Sequence, residues 1–141
     1  MIKLLYLILY NIKYHISNYN YYILETQDWC SKDYKIHGLW PQYNQSDYPT
    51  YCENVSYIEP SGELLNNMNK YWDSCENNSN LWKHEWEKHG SCMFNDADEY
   101  HYFNRTLGLY FEAEYYKYIQ HNCTLNEQCL LPLNLHFQFI T

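Results

Sequence analysis

A chain of 141 residues is one domain by length and can bury a real, if small, core. Its formal net charge of -8 argues against a general nucleic-acid coat protein, which needs a basic surface, but leaves room for a local cationic pocket. Six cysteines (Cys30, Cys52, Cys75, Cys92, Cys123 and Cys129) contain no CxxC pair, which argues against a zinc ribbon or a thioredoxin-type site.

An even number of dispersed cysteines suits a disulfide framework in an oxidising compartment. N-x-S/T sequons start at Asn44, Asn54, Asn77, Asn104 and Asn122 and lend weak support to secretion. Eighteen tyrosines and five tryptophans are side chains that bury much area each.

Residues 1–17 are expected to be a signal peptide. Lys3 precedes an apolar run from Leu4 to Leu9, extended by Tyr10 and closed early by Lys13. The run is too short to span a membrane, so no stable membrane insertion is expected. Residues 18–141 form a single domain, with no repeat and no linker.

Tyr19 to Thr26 is rich in aromatic and β-branched residues and reads as a strand. Tyr34 to Leu39 reads as a second strand that delivers His37 at its end, with Pro41 as the stop. A loop runs from Gln42 to Pro60. Ser61 can cap a helix to about Trp72, with Leu64, Leu65, Met68, Tyr71 and Trp72 as its apolar stripe. A second helix covers Leu81 to Cys92, with Asn80 as candidate N-cap and Gly90 as candidate C-terminal stop. Asp96 or Asp98 can cap a third helix to about Gln120. Its Phe103, Leu107, Tyr110, Phe111 and Tyr118 fall at helical spacing, with Glu114 as the polar exception. Leu130 to Ile140, with Pro132 and the alternating LHFQFI, reads as a last strand.

The chemistry concentrates in LWKHEWEKHGSC, residues 81–92. On a helix, His84 and Lys88 form one i,i+4 pair and Glu85 and His89 the next. The four polar heads then share one broad face. A solvated helix face would explain a lone His or Lys, but not four such side chains in six positions. A zinc site of the HExxH type needs its histidines four apart, whereas these are five apart and diverge by about 140°. An acid, a base and a cation on a rigid element suit proton transfer on an anion without a metal. Upstream, IHGLWP places His37, Gly38 and Trp40 at the end of a strand.

IHGLWP followed by HEWEKHGSC resembles the two active-site segments of the T2 family of secreted acid ribonucleases. The resemblance covers about Tyr19 to Tyr118. It implies an α+β fold, an antiparallel sheet with packed helices; the C-terminal part departs from the family pattern and is expected to be shortened. It implies His89 as general base on a ribose 2′-OH and His37 as general acid on the leaving 5′-oxygen. Glu85 and Lys88 would hold and stabilise the crowded phosphate, His84 would help bind it, and Trp40 with Tyr48 would line the base pocket. Gln42 stands where some fungal members carry an acidic base-recognition residue, so base preference is not carried over. The resemblance pairs Cys52 with Cys92 and Cys30 with Cys75, and we also expect Cys123 to pair with Cys129.

Such an enzyme cleaves single-stranded RNA through its own 2′-OH, giving a 2′,3′-cyclic phosphate, then a 3′-phosphate, and a 5′-OH. The reaction needs one base, one acid and charge stabilisation, with no metal or cofactor. RNA is therefore the expected partner; DNA lacks the nucleophile, and protein partners are left open. The expected location is secreted or lumenal, vacuole and lysosome included. The alternative of a different class is a catalytically weak relative that binds RNA or a cell surface.

Overall fold

The computed structural model describes residues 20–27, 30, 32–93 and 98–140. The signal-peptide expectation for residues 1–17 and the candidate cap Asp96 lie outside them. The fold is α+β, as expected: a three-stranded antiparallel sheet with helices packed on it. The strands are β1 (Tyr21–Gln27), β2 (Lys35–Gln42) and β3 (Cys129–Leu133), in the order β2-β1-β3. The helices are α1 (Gly62–Tyr71), α2 (Asn78–Lys88), α3 (Glu99–Tyr115) and α4 (Tyr118–Asn122), and a single 3-10 turn, Gly90–Cys92, follows α2. Among the described residues no helix is long and apolar enough to cross a membrane.

Alternation along the strands sorts the sheet into two faces. Leu24, Leu39 and Leu131 are paired across the ladders and point into the core, beside Tyr22, Ile36 and Leu133. The helices complete this core with Met68, Trp72, Trp82, Trp86, Tyr102, Phe103 and Leu107, whereas tyrosines such as Tyr51, Tyr100 and Tyr115 stay exposed. Ile23, Glu25, Gly38, Trp40 and Leu130 lie on the opposite face.

One irregularity in the sheet matters for function. Glu25 pairs with Gly38, but Thr26 pairs with Ile36, so His37 is the extra residue of a β-bulge. Without the slip, His37 would alternate away from Trp40. The bulge re-aims it onto the same face, as bulges beside functional sites do. Trp72 fixes the bulge by donating its indole N–H to the His37 carbonyl at 2.8 Å, and Trp82 in turn donates to the Trp72 carbonyl at 2.7 Å. The core thus clamps the backbone that carries His37.

Several local expectations are corrected. Pro41 does not stop β2 but lies within it, opposite Tyr22; Pro132, as expected, lies within a strand, β3, opposite Ile23. Both strands are sheet edges, where a missing N–H costs no ladder bond. The N-cap of α2 is Asn77, whose side chain accepts from the Asn80 N–H at 2.9 Å; Asn80 already lies in the first turn. The third helix is capped by Asp98 but ends at Tyr115, because Lys117 adopts a left-handed conformation with φ 58°. Ser61 occupies the N-cap of α1 without making a side-chain cap bond.

The last strand ends at Leu133 rather than Ile140. Asn134 diverts the chain: its Oδ1 accepts from the N–H groups of His136 and Gln138 at 2.9 and 3.1 Å, a local turn that outcompetes the ladder. Phe137, at φ 57°, folds back to stack on Tyr22 with centroids 4.5 Å apart. Among the described residues a single bridge, Leu133 to Phe139, continues the pairing.

The three expected disulfides are present: Cys30–Cys75, Cys52–Cys92 and Cys123–Cys129. The second ties the loop after β2 to the end of the helical segment that carries the site.

Candidate active site

Two elements converge on one cleft. β2 supplies His37, Trp40 and Gln42; α2 and its C-cap supply His84, Glu85, Lys88 and His89. The loop after β2 adds Tyr48 and Gln45, and Ile23 and Leu130 form the floor from β1 and β3. The cleft encloses about 280 Å³. Every residue singled out in the sequence for catalysis or substrate binding therefore lines it.

Glu85 is the hub. It is fully buried, with its Oε2 accepting from the Trp40 indole N–H at 2.8 Å and its Oε1 lying 3.3 Å from His37 Nε2. Gly38 makes this possible. A Cβ there would come within 2.1 Å of Glu85 Oε2 and 2.6 Å of Trp40 Nε1. The glycine of IHGLWP is required by this close approach and not by an unusual backbone conformation.

Trp40 does more than line a pocket. Its ring stacks on His89, centroids 4.9 Å apart at 24°, and meets His37 edge-on at 5.6 Å. Tyr48 lies 6.0 Å from His89 on another side, and the Lys88 ammonium sits 5.7 Å from the Tyr48 centroid. Tyr48 remains 45% exposed, so its ring is accessible to a planar ligand. His84 is exposed at the rim, while His89 is buried. Helix periodicity alone does not separate these two histidines; burial does.

Burial and the neighbouring carboxylates set opposite charge tendencies for His89 and His37. Burial keeps the His89 imidazole neutral and lowers its pKa to about 4; Glu85 opposes the shift, and Lys88, His84 and His37 add to it. For His37, burial also disfavours the charge, but the Glu85 and Glu25 carboxylates outweigh it and the net shift is upward. One imidazole is thus held neutral and the other is favoured in its charged form, side by side in one cleft.

Glu25 belongs to this cluster and was not singled out in the sequence. Its Oε1 lies 3.8 Å from His37 Nδ1, and its side chain is fully buried. The available signal was a lone carboxylate inside an otherwise apolar strand segment, YYILET.

The chain matches the ribonuclease T2 family over residues 12–128. It belongs to the ribonuclease T2 family. Among curated relatives it is 40% identical to ribonuclease 1 of Arabidopsis thaliana over 83 residues, covering 55% of this chain and 36% of that protein. It is 41% identical to human (Homo sapiens) ribonuclease T2 over 86 residues, covering 56% and 32% respectively. The chain spans about a third of the length of these curated relatives. In structure it is similar to the self-incompatibility-associated SF11-RNase of Nicotiana alata, with a TM-score of 0.63 at 23% identity, covering 76% of this chain and 64% of that one. That likeness bears on the fold, and it agrees with the α+β arrangement of this T2-family chain.

Proposed function

We propose that this chain is a metal-independent endoribonuclease that cleaves single-stranded RNA by transesterification through the 2′-OH. The observation that carries the reading is the opposed electrostatic setting of His89 and His37 in one cleft, with Lys88 beside them. Neutral His89 takes the proton from the 2′-OH, and the oxygen attacks phosphorus. The bond from phosphorus to the 5′-oxygen breaks, and charged His37 donates a proton to that oxygen. The products are a 2′,3′-cyclic phosphate and a 5′-OH end. Water can then open the cyclic phosphate to a 3′-phosphate with the two histidines in exchanged roles.

Lys88 supplies positive charge to the phosphate oxygens as negative charge builds on them. Glu85 orients His37 and Trp40, and His84 meets the phosphate at the rim. The exposed ring of Tyr48 stacks a base, beside the half-buried Trp40; base–aromatic stacking contributes about 1–3 kcal/mol per base and tolerates any sequence. Three disulfides support a site of action in an oxidising compartment, and we propose a secreted or lumenal location.

The test is cleavage of a labelled RNA oligonucleotide in excess EDTA, beside the same sequence with 2′-O-methyl riboses. Cutting of only the plain RNA, leaving cyclic or 3′-phosphate ends, is the expected result. A folded, oxidised protein that cuts neither would move the reading to an RNA-binding relative. Activity lost to EDTA and restored by a divalent cation would overturn the metal-free chemistry.

A further inference from the structure

Glu25 is a buried acid that the acid–base scheme leaves unused. It lies in the middle of β1 with no exposed surface, and among the described residues neither of its carboxylate oxygens has a hydrogen-bond partner. Its ladder neighbours, Gly38 and Leu130, offer it no polar side chain. A carboxyl in such a place weakens the fold relative to an apolar residue of similar size. What it faces is the bulged His37: Oε1 is 3.8 Å from Nδ1, while the opposite ring nitrogen faces Glu85 at 3.3 Å.

We infer that Glu25 is a positioning residue for His37: from β1, beside the bulge, its carboxyl orients the imidazole through Nδ1 and favours the charged ring, so that Nε2 presents the proton toward Glu85 and the cleft. The inference rests on the acid role proposed for His37. The arrangement parallels the general rule that a catalytic base or acid is itself oriented by a third group. The groups around His37 divide as follows. Glu25 on β1 and Glu85 on α2 favour its charge, whereas Lys88 on α2 opposes it, and His89 at the helix cap carries no charge to oppose it above about pH 4. β3 contributes apolar Leu130, α1 is followed by Trp72 on the His37 carbonyl, and α3 contributes Tyr102, bonded to Leu39.

The carboxyl also acts in a defined pH range. Burial pushes Glu25 up to about 7 against the pull of His37, with Glu85 adding to the rise. Glu25 is therefore neutral in acid and becomes charged near neutrality. Its electrostatic support for the His37 charge grows just where an ordinary histidine would lose its proton.

The experiment follows the histidine ring nitrogens by NMR across pH in the full, oxidised chain, for the wild type, Glu25→Gln, Glu25→Leu and Glu25→Asp. In parallel, kcat and KM are measured against pH on a short RNA. The expected result is that His37 in the Gln and Leu variants titrates at lower pH than in the wild type, and kcat falls several-fold above about pH 7 with KM little changed. The Asp variant restores part of both. An unchanged His37 titration and tautomer in either folded Gln or Leu variant would overturn the inference. So would a wild-type His37 curve free of any coupling to a second group, a readout that needs no variant to fold. A His37 shift in a chain that cleaves no RNA would support the Glu25–His37 pairing and overturn only the ribonuclease reading.

Discussion

The Trp40 indole N–H donates to Glu85 Oε2 at 2.8 Å, and the pair closes over Gly38. Two motifs that are far apart in the sequence therefore meet atom to atom. Gly38→Ala should force them apart, since the added Cβ would overlap the carboxylate at 2.1 Å. Both neighbours are held in place, so the strain falls on the Glu85–His37 geometry. A displacement of about 1 Å can cost about 10²-fold in rate. We expect a loss of that order in kcat/KM on single-stranded RNA, with a far-UV spectrum like the wild type. Wild-type kinetics would show that the glycine is there for the backbone alone.

Trp40→Phe separates the two jobs of the indole. It keeps a ring to stack on His89 but removes the donor to Glu85. Losing a hydrogen bond to a buried charged group costs about 1.5–3 kcal/mol, or roughly ten- to a hundredfold if it is felt in the transition state. We expect most of the loss in kcat and little in KM. A pure rise in KM would assign Trp40 to base stacking instead.

The parts of this site that were legible in the sequence are local. His84, Glu85, Lys88 and His89 lie within one helical window, and His37 and Trp40 within one strand segment. What was not legible depends on register. The Glu25/Thr26 slip that turns His37 into the cleft exists only once β1 and β2 are paired, and with it comes the approach of Glu25. The reading of Pro41 as a break failed for a related reason: a proline reveals nothing of whether its strand is an edge. LHFQFI misled because strict alternation imitates a strand, while Asn134, just ahead of it, forms a turn.

The Cys52–Cys92 bridge should support both stability and binding. Beside it, the Tyr51 N–H donates to the Lys88 carbonyl at 2.9 Å and the Cys52 N–H to Ser91 Oγ at 3.1 Å. This seam fastens the loop that carries Tyr48 to the end of α2. A bridge across 40 residues is worth about 4 kcal/mol in the chain-entropy model. The Cys52→Ser/Cys92→Ser double variant should melt well below the wild type. In the folded fraction KM should rise more than kcat falls, because Tyr48 loses its tether. Unchanged melting would refute the stabilising role, and unchanged KM would refute the tether.

The pH profile tests the two histidines against each other. His89 must be neutral to accept a proton, and its pKa is lowered to about 4, so activity should rise as pH passes about 4. His37 must be charged to donate, and its pKa is raised above the usual 6.5, so activity should fall only above that value. The signs give a bell that is wide, with its flat top in mild acid. His37→Ala and His89→Ala should each remove nearly all cleavage. The residual activity should differ in shape: without His89 the acid limb disappears, and without His37 the alkaline limb does. Measuring kcat/KM between about pH 3.5 and about pH 8.5 covers both limbs. If the wild-type limbs were instead abolished the other way round, with the alkaline limb lost in His89→Ala, the acid and base assignments would be reversed. A profile with no histidine-range limb would mean that a step other than proton transfer limits the rate.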